Sequence, residues 1–319
     1  MMTHLRIGTR NSQLALAQTA LAQKELSQLF PEMDFEVVTM TTKADRHLDR
    51  TLSSFGGKGV FTKELEEGLI SGSIDMAVHS AKDMPAVLPE GLMIGAVLAR
   101  ADVRDVIVTC SGTQLKALPA GAVVGTGSLR RQLQAEAVNP KITVRQIRGN
   151  VQTRLDKLAQ GQYDAIILAA AGLCRLGADI GQGGYAAADG FDYSRFQYEI
   201  METSQILPAA AQGILAVECR ADDEQTKALL AAVNDVRTRR IYEAERCFLI
   251  GIGGSCNAPA AALADFEGDR LKIEAMYAPA GSGHIHRVCL WADEAKGDGA
   301  LGTEAARLLK SMSESGGSI

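Results

Sequence analysis

The chain has 319 residues, 46% hydrophobic and 22% charged, with a formal net charge of −5 at neutral pH. This is the balance of a globular protein large enough for two or three cores, and it lacks the basic excess expected of a nucleic-acid binder. No apolar run approaches the roughly 20 residues that cross a bilayer, and the opening "MMTHLRIGTRNSQ" has no secretory pattern. The six cysteines show neither a CxxC pair nor zinc-like spacing, so a reduced, cytoplasmic protein without a metal is expected.

In chain order, "LRIGT" reads as a strand and "SQLALAQTALAQKELSQLF" as a helix that Ser12 can cap. "FEVVTM" is a second strand, and "VFTKELEEGLISG" a helix closing at Gly72. The short apolar runs "IDMAV", "LMIGAVL", "VIVTC", "AVVGT", "ITVRQI" and "DAIILAA" follow, several with helical stretches after them. Such alternation predicts α/β architecture with mixed or parallel sheets. Residues 177–200, rich in Gly and Ala without periodicity, read as a long surface connection. After residue 220 come two helices, the loop "GIGGSCNAP", the strands "LKIEAMYA" and "HRVCLWA" and a last helix, which make a smaller α+β unit.

Two pieces echo each other. "IGTRNSQLALAQ" resembles "VGTGSLRRQLQ", and "GSIDMAVHSA" resembles "GQYDAIILAA". Either two ordinary βα units coincide, or two similar lobes turn their strand ends toward one cleft.

Arginines gather where strands become helices: Arg10, Arg130, Arg131, Arg148, Arg154 and Arg175. A helix N-terminus is already electropositive, so a cation added there calls for an anion. The guanidinium fork matches carboxylate or phosphate. A ligand with several negative groups answers the set; the alternative is that structural acids do. There is no P-loop, and "GGKG" around Lys58 reads as a loop near the cleft or an ordinary solvated one. In "DMAVHSAKDMP" a buried-strand pattern ends in Lys82 and Asp83. The lysine favours an ionised aspartate, which can stabilise a developing cation or move a proton, or can merely brace the loop. Cys256 stands in a glycine-rich loop rather than an apolar element, as a reactive thiol would, while Cys247 fits packing.

Taken together, "IGTRNSQLALAQ", "GGKGVFTKELE", "DMAVHSAKDMP", "GTGSLRRQ", "IRGNVQTRL", "AAAGLCRLG", "LPAAAQGILAVECR" and "ERCFLIGIGGSCNAP" resemble the porphobilinogen deaminase (hydroxymethylbilane synthase) family through nearly the whole chain. The resemblance implies two periplasmic-binding-protein-like lobes around a cleft, 1–99 with 201–219 and 100–200, and a C-terminal α+β domain, 220–319. It implies stepwise head-to-tail condensation of four porphobilinogen molecules with loss of ammonia, releasing linear hydroxymethylbilane, by a monomer. A dipyrromethane cofactor would be attached through a thioether to Cys256. Asp83 would be catalytic. Lys82, Ser128, Arg130, Arg131, Arg154 and Asp45 would contact the cofactor, and Arg10, Ser12, Arg148, Arg175 and Lys58 the substrate and growing chain.

Two departures stand out: the connection over 178–203 is longer than in many members, and "NDVRTRR" stands where many carry histidines after the Asn. Neither touches Asp83, Cys256 or the six arginines. The competing function is a non-catalytic two-lobe receptor for a polycarboxylate, which leaves Cys256 in its glycine loop unexplained.

Overall fold

The computed structural model describes residues 4–41, 62–181, 190–253, 259–279, 284–293 and 295–315. In chain order the strands are β1 (His4–Arg10), β2 (Asp34–Met40), β3 (Met76–Ser80), β4 (Leu92–Val97), β5 (Asp105–Thr109), β6 (Val123–Gly125), β7 (Thr143–Arg145), β8 (Ala165–Ala169), β9 (Gln197–Ile200), β10 (Leu215–Arg220), β11 (Ala260–Glu267), β12 (Arg270–Tyr277) and β13 (His286–Trp291). The α-helices are α1 (Gln13–Leu29), α2 (Lys63–Ser71), α3 (Leu129–Val138), α4 (Val151–Ala159), α5 (Ala170–Arg175), α6 (Glu224–Val233), α7 (Val236–Ile252) and α8 (Asp298–Ser315). Two compact units result, 1–101 with 214–239, and 102–213 with 240–319.

The first unit is a five-stranded sheet in the order β2-β1-β3-β10-β4. β1, β2 and β3 are parallel, and β10 runs antiparallel between β3 and β4. Ser12 caps α1 as expected, its Oγ accepting the Ala15 N–H at 3.2 Å. The helix then buries Gln18, Thr19, Ala22 and Leu26, one face at helical spacing. Ala22 and Leu26 pack with Leu5, Ile7, Met76, Val78 and Val217, while Leu65 and Leu69 of α2 cover Ala77 on another cluster. Leu230 and Val233 of α6 join the first of these cores, so residues 224–233 belong here rather than with the C-terminal part.

The second unit holds two sheets. The larger, β7-β6-β8-β5-β9, repeats the first sheet strand for strand: β6, β7 and β8 are parallel, and β5 runs antiparallel between β8 and β9. Even the register repeats. Ile7 pairs with Met76 and Gly8 with Ala77, as Val124 does with Ala165 and Gly125 with Ile166. Before β3, the N–H of Gly72 (φ +71°) meets the Leu69 carbonyl; before β8, that of Gly161 (φ +71°) meets Leu158. The Arg6 N–H donates to Asp75 Oδ2 at 2.8 Å, and the Val123 N–H to Asp164 Oδ2 at 2.6 Å. The sequence echo is therefore a duplicated scaffold, not a coincidence of two ordinary units.

Residues 190–200, expected within a surface connection, supply β9 at the sheet edge, anchored by the buried Tyr193 and Phe196. Residues 201–213 also fall in this unit, not with the first lobe. The third sheet, β11-β12-β13, is antiparallel, and α8 buries Leu301, Ala305, Ala306 and Leu309 at helical spacing. Helices α7 and α8 cross closely: a Cβ on Gly302 would lie 1.9 Å from the Ala244 carbonyl oxygen. Cys247 packs here, half-buried, its Sγ 3.0 Å from where a Gly299 Cβ would sit. The arginines of "NDVRTRR" have structural partners: Arg239 donates to the Ile94 and Gly95 carbonyls, and Arg240 pairs with Asp298.

Candidate active site

Because β1, β2 and β3 are parallel, their C-terminal ends lie at one edge of the first sheet; those of β6, β7 and β8 do the same in the second. Ligands of open α/β sheets bind outside such ends. Each expected site residue within the described chain stands at or just past one. Arg10 and Ser12 follow from β1, and Lys82 and Asp83 from β3. Ser128, Arg130 and Arg131 follow β6, Arg148 and Arg154 follow β7, and Arg175 closes the helix after β8. Asp45, Lys58 and Cys256 lie outside the described residues.

In the first lobe the strand end is firmly held. The Ala81 N–H donates to the Ile214 carbonyl at 3.0 Å, and Gln18 Nε2 to Ser80 Oγ at 2.8 Å. A 3-10 turn, Ala81–Asp83, then lifts the chain off the sheet with Ala81 buried, Lys82 half-buried and Asp83 exposed. The Asp83 carboxylate makes no hydrogen bond or ion pair among the described residues. Since the strand before it is fully paired, this loose end is not a frayed one. Ser12 is already engaged as the cap of α1.

In the second lobe two arginines are engaged otherwise than expected. Arg130 Nη1 donates to Asp105 Oδ2 and to the Leu207 carbonyl, each at 2.7 Å. Arg131 holds Asp105 Oδ1 through Nε (3.1 Å) and Nη2 (2.7 Å), with Nη1 on the Ile167 carbonyl. Gln212 Nε2 adds a fourth donor at 2.9 Å. Burial by itself would raise the Asp105 carboxyl, but the two guanidinium groups outweigh it and hold it far below the usual carboxylate range. For these two arginines the structural acid answers much of the charge that had been reserved for a ligand. Ser128 caps α3 weakly, its Oγ 3.5 Å from the Arg131 nitrogen.

Arg148 is half-buried, and its guanidinium has no ion pair among the described residues. Arg154 Nε donates to the Gly149 carbonyl at 2.8 Å, beside the start of α4 that Asn150 caps. Gly149 is needed there, with φ +114° and Thr153 within 2.7 Å of any added Cβ. Arg175 is buried and donates to the Gly213 carbonyl at 2.7 Å. Sequence reasoning missed Asp105, whose only signal was an acid opening the apolar run "DVIVT". It also passed over His79, Glu218 and Glu66, a buried polar group in the first lobe.

A family model described as "Porphobilinogen deaminase, dipyromethane cofactor binding domain" matches residues 5–228. The porphobilinogen deaminase of Geobacillus kaustophilus is 46% identical over 309 residues, covering 97% of this chain and 94% of that one. That of Roseiflexus sp. is 47% identical over 272 residues, 85% of each chain.

Proposed function

The chain belongs to the porphobilinogen deaminase family, and from that premise we propose how its own residues carry the activity. The reaction is the stepwise condensation of four porphobilinogen molecules with loss of ammonia, giving hydroxymethylbilane. The observation that carries the site reading is Asp83, an exposed carboxylate without a partner among the described residues at the end of a fully paired strand. A carboxylate so placed accepts pyrrole N–H groups and stabilises the positive charge left on the substrate when ammonia departs. The same oxygen atoms can take up the proton released as each new bond matures.

A dipyrromethane bears several carboxylates and two ring N–H groups, and the residues at the strand ends suit it. Arg148 and Arg154 offer cations, Ser128 a polar contact, and Lys82 and Asp83 opposite charges for side chain and ring; Asp45, outside the described residues, is a further candidate by the resemblance. When bound, that group supplies the nucleophilic pyrrole carbon to which substrate is joined. The thioether would be on Cys256. Arg10, Arg175, Ser12 and Lys58 are the candidates for substrate and the growing chain. Arg130 and Arg131 act first as partners of Asp105, holding the junction from which α3 starts. A monomer in the cytoplasm is the working form we infer, with the three sheets marking three domains. The receptor alternative has no observation in its favour.

The test is an intact mass of the denatured protein followed by peptide mapping. Extra mass equal to two linked pyrroles on the peptide containing Cys256 is expected. A bare chain that stays bare after incubation with porphobilinogen would overturn the attachment.

A further inference from the structure

Close to the Lys82–Asp83 turn lies a buried polar cluster. His79 Nε2 is 2.9 Å from Glu218 Oε2, with both side chains buried. Glu66 on α2 is also buried. Glu218 Oε1 and Glu66 Oε1 are both shut off from solvent without a hydrogen-bond partner among the described residues. Burial, above all, raises the Glu66 carboxyl from its ordinary range; Thr62 and His79 oppose this, Glu218 and Glu67 add to it. Buried acceptors left unanswered are costly and call for an explanation.

The duplicated scaffold supplies an internal control. The alignment that matches Gly72 with Gly161 and Asp75 with Asp164 matches Glu66 with Leu155 and His79 with Leu168. Ser80 pairs with Leu215 on β10, and Ala169, its counterpart, with Asp105 on β5, so Glu218 corresponds to Val108. Leu155, Leu168 and Val108 are all buried. The same helix, strand and cross-strand positions therefore pack with three apolar residues in one lobe and three ionisable ones in the other. The fold does not need the polar set, and apolar replacement of buried ionic groups is often neutral or stabilising. What separates the lobes at this strand end is the turn it leads into: Lys82 and Asp83 in the first, Ala171 and Gly172 in the second.

We propose that the buried His79–Glu218 pair and Glu66 beside it act as positioning residues for the strand end that carries Lys82 and Asp83, an inference that rests on the reading of Asp83 given above. A proton on Glu66 turns one of two buried acceptors into a donor, leaving a single negative charge beside His79. Losing it sets two carboxylate charges together under β3, four residues before Asp83. On the opposite face Gln18 grips Ser80, so the strand end is fixed from both sides only while the proton stays. Among the described residues, the ionisable groups acting on Glu66 are Glu218 from β10, His79 from β3 and Glu67 from α2 itself.

The test copies the twin lobe into the first: Glu66→Leu, His79→Leu and Glu218→Val together, measured beside wild type and Asp83→Asn. The triple variant is expected to fold with an undiminished thermal midpoint and to carry the same added mass. Its kcat should fall about tenfold to a hundredfold, as for a misplaced catalytic group, with KM little changed and the alkaline limb of the kcat–pH profile gone. Wild-type kcat and an unaltered profile would overturn the proposal. Glu66→Gln, which keeps the shape and removes only the ionisation, should likewise abolish the alkaline limb while the fold stays intact. An unmoved limb there would overturn it even if the triple variant failed to fold. Normal turnover by Asp83→Asn would instead remove the site reading itself, a distinct outcome.

Discussion

The two five-stranded lobes are built alike and end differently. Strand order, direction and register agree, and so do two small devices: an aspartate receiving the N–H of the first strand, and a left-handed glycine closing the preceding helix. Even the step off the third strand repeats, the Ala81 N–H on the Ile214 carbonyl and the Ala170 N–H on the Arg104 carbonyl, each at 3.0 Å. Beyond that step one lobe presents an exposed carboxylate. The other buries Asp105 under two arginines at the position where the first has Leu215. The scaffold thus sets where strand ends stand, and two or three substitutions at each end decide whether that place does chemistry or organises cations.

The sharpest break in this comparison is Asp83→Asn. Removing a charge-stabilising group costs about 2.7–4 kcal/mol of barrier, roughly a hundred- to a thousandfold in turnover. Because Asp83 is exposed and has no partner among the described residues, the melting temperature should not move; near-normal turnover would take it out of the mechanism. Asp105→Leu makes the second lobe like the first at that position. Two buried guanidinium groups lose their counter-ion, so a loss of about 3–5 kcal/mol in denaturant unfolding is expected, and unchanged stability would show that the arginines do not depend on it. The sign with pH follows from its depressed carboxyl: the stabilisation is present above the ordinary carboxylate range and fades only as pH falls through the lower folded value.

Gly8→Ala and Gly125→Ala test the shared part. Each added Cβ meets the residue just before the aspartate that holds the first strand, Ile74 Cδ1 at 2.3 Å or Tyr163 Cδ1 at 2.8 Å. Overpacking of this kind costs about 1–3 kcal/mol. The Ile74 methyl is the end of a flexible chain and can turn away, whereas the Tyr163 ring is held by its hydroxyl on the Gln146 carbonyl. Comparable losses in thermal unfolding would confirm that the duplication extends to packing; indifference at one site would limit it to backbone pattern.

Local pattern carried much of this into view from the sequence. The Ser12 cap, the Gly72 stop, the echo between lobes and the abrupt end of "DMAVHS" in Lys82 and Asp83 all depend on neighbours a few residues apart. What escaped was long-range. β10 enters the first sheet from more than a hundred residues downstream of β3 and β4, and no local period marks it. β11, "AAALADFE", is alanine-rich and lacks the β-branched signature of a strand. β9 hides at the end of a Gly/Ala-rich run. The pairing of Arg130 and Arg131 with Asp105 spans about a quarter of a hundred residues, so the arginines could be counted but their partner could not be seen.

The smallest expected difference compares the two aspartates that hold the first strands. Asp75 is buried and takes the Arg6 backbone N–H, Arg6 Nε at 3.0 Å and Arg6 Nη2 at 2.9 Å, with Arg220 Nη2 at 3.5 Å. Asp164, exposed, takes only the Val123 N–H among the described residues. Asp75→Asn should therefore cost about 1.5–3 kcal/mol, the range of charge-assisted bonds, and Asp164→Asn less than about 1. For Asp75 burial pushes the carboxyl up, but its bonds to Arg6 and the charges of Arg6 and Arg220 win and lower it. Its contribution is then complete above the ordinary carboxylate range and disappears as pH falls through the depressed folded value. Urea midpoints of wild type and Asp75→Asn should draw together on acidification. A gap that stays constant with pH would mean that shape rather than charge makes this corner of the first lobe the stronger of the pair.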